Sequence, residues 1–78
     1  MKNIQISVTE NNTIIVTADT ERFGKSAVMF EGHSFMECCD YIRKRTNNNH
    51  FKLKALSCIS TFTDTEGLTM PRSLTVVF

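Results

Sequence analysis

The stretch "EGHSFMECCDYIRKR", residues 31–45, decides the fold because it specifies a helix whose start and end are both marked. Ser34 followed three residues later by Glu37 forms a capping box, in which each side chain satisfies a backbone N–H at the helix start. At about 100° per residue the apolar side chains fall within one sector of the helical wheel, and they are Phe35, Cys38, Cys39 and Ile42. This stretch therefore predicts an amphipathic helix with its two cysteines in the core.

The end of the same helix carries three consecutive cations. Arg43, Lys44 and Arg45 occupy the predicted last turn, where positive charge interacts favourably with the helix dipole. The asparagine run at 47–49 is typical of a helix end. We therefore expect the helix to end just after Arg45.

Three strands are predicted before the helix. Residues 3–9 and 13–18 are rich in β-branched side chains, and the asparagines between them favour a tight hairpin turn. Residues 26–31 supply a third strand, in which strict alternation puts Val28 and Phe30 on one face and Ala27 and Met29 on the other.

Two strands are predicted after the helix. Residues 51–63 form the longest candidate, but the apolar alternation moves after Ala55 to Leu56 and Cys58, or to Ile59 alone, which indicates a bulge or bend near Ala55. Pro71 cannot donate to a strand ladder, so the last strand begins after it and alternates through Leu74, Val76 and Phe78.

The order β-β-β-α-β-β predicts an α+β fold, with an antiparallel sheet of about five strands and one helix packed on one face. A chain of 78 residues buries too little surface for a second core, so residues 1–78 are expected to form a single domain. The apolar fraction of 41% and the charged fraction of 22% are typical of globular proteins.

Composition also limits the partners and the compartment. Nine cations against eight acids give a net charge of +1, which by itself favours neither a polyanion nor a membrane. No apolar stretch approaches the ~18 residues of a membrane span, and the N-terminus lacks the apolar run of a signal peptide. Three cysteines, two of them adjacent, suit reduced thiols better than a disulfide framework. We expect a cytoplasmic protein without a membrane partner.

Metal chemistry is disfavoured by the cysteine spacing. The available ligands are His33, Cys38, Cys39 and Cys58. Adjacent cysteines on a helix project about 100° apart, whereas zinc needs ligands that converge tetrahedrally. We expect buried structural thiols, no metal and no cofactor.

Catalysis is disfavoured for similar reasons. Cys39 lies at the centre of the apolar sector, which argues against a thiolate paired with His33 or His50. Glu31, Glu37 and Asp40 cluster, but no apolar surroundings separate their pKa values. The three scattered glycines form no phosphate loop. We expect a protein that is not an enzyme, has no catalytic residues and binds no small molecule.

Cations cluster between residues 43 and 54, around an asparagine-rich loop that contains His50. Such a cluster could contact a phosphate backbone, with Tyr41 or Phe51 stacking on a base. The alternative is a solvated surface in which the charges complement a helix end and an open strand face. The candidate nucleic-acid residues are Arg43, Lys44, Arg45, Lys52 and Lys54.

The sheet face turned away from the helix is the second candidate surface. If Ile6, Val16, Val28 and Val76 point inward, the opposite face carries an apolar stripe, and such stripes tend to mark partner surfaces. The last strand adds a predicted free edge with no lysine or proline after Pro71. The candidate interface residues are Ile15, Met29, Val77 and Phe78.

Two hypotheses about function follow. The first is a non-enzymatic protein-interaction module that self-associates as a homodimer through its open sheet face or edge strand. The alternative is a small nucleic-acid-binding protein that uses the basic helix end and the following strand. The short length and the richness in Thr and Asn suit a bacterial or phage accessory protein, which names no mechanism.

Overall fold

The computed structural model describes residues 1–56 and 60–78. Its elements are β1 (Lys2–Val8), β2 (Ile14–Thr20), β3 (Gly24–Gly32), α1 (Phe35–Thr46), β4 (Lys52–Ala55), β5 (Thr61–Thr63), β6 (Thr69–Pro71) and β7 (Ser73–Val77).

Five of the strands form one antiparallel sheet in the order β3-β2-β1-β7-β4, and one helix follows the first three strands. This arrangement confirms the predicted α+β fold. The expectation of one strand over residues 51–63 was wrong, because β4 ends at Ala55 and β5 pairs with β6 in a separate two-stranded ribbon. Cys58 and Ile59, to which the apolar phase was predicted to move, lie outside the described residues.

The last strand is in the interior of the sheet. β7 pairs with β1 on one side and with β4 on the other, so that Thr75 faces both Gln5 and Lys54. The predicted free edge at the end of the chain is therefore wrong, and the two edges belong to β3 and β4. Order along the chain does not determine order across a sheet.

The core lies between the inner sheet face and α1. All four residues of the predicted apolar sector are buried, including Cys38 and Cys39, which confirms the helical wheel. The ribbon of β5 and β6 adds Phe62 and Met70 to the same core. The strands contribute Ile4, Ile6, Ile14, Val16, Ala18 and Leu74.

A bulge at Met29 shifts the alternation of β3. Val16 pairs with Phe30 while its neighbour Thr17 pairs with Val28, which leaves Met29 as the extra residue. Val28 is 60% exposed, whereas Met29 is half-buried and packs against the core. Ala27 shares the inner face with its partner, the buried Ala18. The predicted inward Val28 and outward Ala27 and Met29 were therefore wrong.

Both ends of α1 are capped by side chains or turns that the sequence contains locally. Ser34 Oγ accepts a hydrogen bond from the Glu37 N–H at 3.1 Å, and Glu37 Oε2 accepts one from the His33 N–H at 2.9 Å. Asn47 ends the helix in the left-handed conformation at φ 53°. No helix in residues 1–56 or 60–78 is long and apolar enough to cross a membrane.

Candidate functional site

The antiparallel strands and the helix give the molecule two distinct ends. At one of them Lys2 lies opposite Asp19, Thr20 opposite Gly24, and Lys52 opposite Val77. The C-terminal turn of α1 reaches the same place, since Arg45 lines a cavity with residues of β1, β2 and β3. The start of α1 and the turns after β1 and β5 lie at the other end.

Cations are concentrated at the first end, which we call the basic end. It holds all lysines and arginines of the chain except Lys54, on the outer sheet face, and Arg72, at the far end next to Val8. The carboxylate side chains at this end are those of Asp19, Glu21 and Asp40. The seven cations are Lys2, Arg22, Lys25, Arg43, Lys44, Arg45 and Lys52.

Few of these cations are neutralised within the chain. Across residues 1–56 and 60–78 the only ion pair within 4.0 Å joins Arg43 to Asp40, neighbours on the helix surface, at 3.0 Å. The other six cations of the basic end have no carboxylate at that distance. Lys25 still acts on a carboxylate at longer range, since its charge helps to lower the pKa of Asp19.

One cavity at the basic end has more cations than acids in its wall, and we call it the cationic cavity. Its volume is about 580 Å³, and its wall combines strand ends, the turn after β2 and the last turn of α1. Lys2, Arg22, Lys25 and Arg45 contribute the cations. Asp19 and Glu21 are the acids in the same wall.

Asp19 is bound to the backbone and a neighbouring amide. Its carboxylate accepts hydrogen bonds from Asn3 Nδ2 at 2.7 Å and from the Ser26 N–H at 2.8 Å. These bonds, the one from Asn3 foremost, lower the pKa of Asp19 below its ordinary value. Asn3 and Ser26 both have positive φ, 53° and 52°. Asp19 thus bonds to two residues whose backbone is left-handed, through the side chain of Asn3 and the backbone N–H of Ser26.

A second cavity, of about 460 Å³, lies at the same end and is lined by aromatic and amide side chains. We call it the aromatic cavity. The ring of Phe78 meets that of Phe51 edge to face at 5.9 Å between centroids, and the Arg43 guanidinium lies 5.3 Å from the Phe51 centroid. The lining residues are Asn49, His50, Phe51, Lys52, Val77 and Phe78.

The opposite end of the molecule is acidic. Five carboxylates lie there, and Arg72 is the one lysine or arginine among the residues the structure describes at that end. We call it the acidic end. Its carboxylates belong to Glu10, Glu31, Glu37, Asp64 and Glu66.

Asp64 joins the turn between β5 and β6 to the start of α1. Its side chain accepts hydrogen bonds, each of 2.9 Å, from the N–H groups of Phe35, Glu66 and Leu68. These backbone donors, with Phe35 first, lower the pKa of the buried Asp64 carboxyl. Thr65 Oγ1 strengthens the junction by donating to the His33 carbonyl at 3.1 Å. A negative charge at a helix N-terminus is stabilising.

The structure divides the cations predicted from the sequence. Arg43, Lys44, Arg45 and Lys52 lie at the basic end, whereas Lys54 faces Thr75 on the outer sheet face. Sequence reasoning missed the remaining cations of the basic end, Lys2, Arg22 and Lys25, because strand pairing brings them there from distant positions. Asp64 was also missed, since its partner Phe35 is 29 residues away.

The outer sheet face combines polar and apolar residues, and it carries Val28 in place of the predicted Ala27 and Met29. One row across all five strands is Val28, Thr17, Gln5, Thr75 and Lys54, and the next begins Glu31, Ile15, Ser7 and Ser73. Of the candidate interface residues, Ile15 and Val77 lie on this face, Met29 packs inward, and Phe78 lies at the aromatic cavity. Among the described residues, Gln5 and Ser7 of β1 lie between Ile15 and Val77, so that no continuous apolar stripe joins these two.

Cys38 and Cys39 are buried, free thiols. Burial, together with Cys39 and Glu37, raises the pKa of the Cys38 thiol to about 12, and burial also raises the pKa of Cys39. In the part of the chain that the structure describes, no three His, Cys, Asp or Glu side chains are grouped so as to hold a metal ion. Cys58 lies outside that part.

Comparisons with protein-family models, with curated proteins and with solved structures gave no match. Function is therefore inferred from the fold and its surface.

Proposed function

We propose that this protein is a non-enzymatic nucleic-acid-binding module that contacts the phosphate backbone with its basic end. The observation that carries the proposal is the segregation of seven cations, six of them without a carboxylate partner among the described residues, at one end. A polyanion that meets such a surface releases condensed counterions, and this release drives binding. The net charge of +1 conceals that local surface.

Exposed aromatic rings at the basic end favour a nucleic acid over other polyanions. Phe23 and Phe78 are 60% and 59% exposed, and each lies close to cations, with the Arg22 guanidinium 5.2 Å from the Phe23 centroid. Nucleic acids offer both phosphates and flat bases, whereas a sulfated sugar or a polyphosphate offers only charge. A surface that combines cations with exposed aromatic rings therefore suits a nucleic acid.

The pKa shifts of two thiols and two carboxyls argue against acid–base catalysis by these four groups. The raised pKa values of Cys38 and Cys39 keep both thiols protonated, which suppresses nucleophilic reactivity. The lowered pKa values of Asp19 and Asp64 make both carboxylates weak bases. None of these groups is poised near neutral pH.

We place this module in the cytoplasm as part of the same proposal. Cys38 and Cys39 are free thiols, as is usual where glutathione and thioredoxin keep cysteines reduced.

Salt-dependent binding tests the proposal. Fluorescence anisotropy of labelled oligonucleotides is measured between about 50 and 200 mM salt. Because Lys25 and Arg45 face the cationic cavity, the double substitution Lys25→Gln/Arg45→Gln should reduce the slope of log affinity against log salt by about 1 to 2.

The matched control removes two cations elsewhere. Lys54→Gln/Arg72→Gln changes the net charge by the same amount but lies on the outer face and at the acidic end. It should reduce the slope by much less than the basic-end pair. Wild-type protein that binds neither DNA nor RNA at low salt contradicts the proposal, and so do equal effects of the two pairs.

Self-association through the outer sheet face is the second proposal. It is supported by the exposed valines on that face, Val28 at 60% and Val77 at 45%. In a homodimer built on this face, Val28→Lys or Val77→Lys should shift dimer to monomer in light scattering, because the interface would bury an unpaired charge. Leu68→Lys at the acidic end is the control. A wild-type monomer at high micromolar concentration contradicts this second proposal.

A further inference from the structure

The two cavities at the basic end differ in chemistry, one lined by cations and the other by aromatic rings and amides. We infer that the basic end prefers single-stranded nucleic acid and that one unpaired base stacks on Phe78 in the aromatic cavity. The inference rests on the proposed function and names its substrate class.

The ring of Phe78 is exposed and yet supported. It is 59% accessible to solvent, while Phe51 holds its position through an edge-to-face contact with an interplanar angle of 68°. Phe51 is itself half-buried against the core and lies under the Arg43 guanidinium. A ring that rests against a packed neighbour loses less conformational freedom when a base stacks on it than a ring without such a contact.

The rim of the aromatic cavity offers polar groups next to that ring. Asn49 and His50 can bond to the edge of a base, and Lys52 can contact the adjoining phosphate. The His50 N–H donates to Asn48 Oδ1 at 2.8 Å, which holds this loop in a turn. A volume of about 460 Å³ lies within the usual range for a small-ligand site.

Stacking on Phe78 requires a base whose face is free. In a duplex each base is stacked between its neighbours, so that a protein ring must unstack a base step to reach a base face, whereas a single strand, a loop or a frayed end offers that face without this cost. The cations alone attract either form through phosphate contacts. Preference for the single strand therefore depends on the aromatic cavity.

Matched probes test this preference. A labelled single strand of about 12 nucleotides, its duplex and an abasic strand of equal charge are titrated by anisotropy at one salt concentration. The single strand should bind most tightly. Phe78→Ala should weaken single-strand binding by about tenfold and leave duplex binding and the salt slope unchanged, whereas Phe78→Tyr should retain wild-type affinity.

The control is Leu68→Ala, which removes a side chain that is 41% exposed at the acidic end and should change no affinity. Far-UV circular dichroism checks that each variant is folded. Equal binding of single strand, duplex and abasic strand overturns the inference and leaves the proposed function in place. A Phe78→Ala loss that is equal for all probes does the same. No binding of any probe by wild-type protein overturns both.

Discussion

The acidic end and the basic end carry opposite charges and use them differently. At the acidic end, Asp64 and Glu37 accept hydrogen bonds from backbone N–H groups at the start of α1. At the basic end, only Arg43 forms an ion pair among the described residues. Two carboxylates of the acidic end thus bond to the backbone, whereas six of the seven cations of the basic end have no ion-pair partner among the described residues.

The two ends differ because the first turn of a helix leaves backbone N–H groups without hydrogen-bond acceptors. The first backbone N–H groups of a helix have no internal acceptor, and a carboxylate can bond to them directly. In the last turn of α1, Lys44 and Arg45 form no ion pair among the described residues, and the field of the helix dipole does not fix their side chains. The carboxylates at the start of α1 therefore hold backbone groups in place, whereas Lys44 and Arg45 at its end do not.

Removal of the Asp64 carboxylate should have the largest effect. Asp64→Ala leaves the N–H groups of Phe35, Glu66 and Leu68 without their acceptor and removes the direct hydrogen bond between the ribbon turn and the first residue of α1. We expect the melting temperature to fall by about 5 to 10 °C in thermal unfolding followed by circular dichroism. The control Asp40→Ala removes an exposed carboxylate that pairs only with Arg43. Equal losses in the two variants would show that the acidic end does not depend on Asp64.

The free energy of unfolding should fall at acidic pH, and part of this fall should come from protonation of Asp64. Backbone N–H donors lower the pKa of Asp64 in the folded protein below the ordinary 3.8. Its stabilisation is therefore complete above the unfolded pKa and is lost as pH falls through the lower folded pKa. Denaturant unfolding at a series of acidic pH values should show a smaller loss in Asp64→Asn than in wild type. Identical pH profiles would falsify the assignment.

The labelling rate of the buried thiols should also differ between variants of the acidic end and variants of the basic end, by a smaller effect. A burial-raised pKa of about 12 keeps Cys38 protonated, so labelling by a thiol reagent requires local opening. Asp64→Ala should accelerate labelling of Cys38 and Cys39, because it loosens the helix start next to them. Lys25→Gln/Arg45→Gln should leave the rate unchanged. Rapid labelling of wild-type protein contradicts burial of the thiols.

The smallest effect is expected on stability at the basic end. Lys25 and Arg45 have no carboxylate partner within 4.0 Å among the described residues. The double substitution to Gln should therefore change the free energy of unfolding by no more than about 0.5 kcal/mol, measured by denaturant titration. A loss as large as that of Asp64→Ala would mean that these cations stabilise the fold.

Local features were predictable from the sequence. Three such features belong to α1: the capping box at Ser34 and Glu37, the helix end at Asn47 and the buried face with Cys38. Each depends on residues close together in the sequence, so that spacing and periodicity predict it. Strict alternation likewise found the buried Ile6 and its neighbours on β1 and β2.

Features that depend on distant pairing were not predictable. The Met29 bulge breaks the period of two without any glycine or proline to mark it, so both Val28 and Met29 were placed on the wrong face. Lys2 and Arg45 both line the cationic cavity, although more than half of the sequence separates them. Its residues share no local pattern.

The central position of β7 has a consequence for the order of folding. Among the strands of this sheet, β1 is synthesised first. One of its two direct neighbours in the sheet, β7, is synthesised last. Until β7 is available, β1 has an unpaired edge, and β4 has no partner in the sheet. Contacts this far apart in sequence raise the contact order and slow folding. A nascent chain that lacks β7 thus exposes an open strand edge to other chains, which is a site for aggregation.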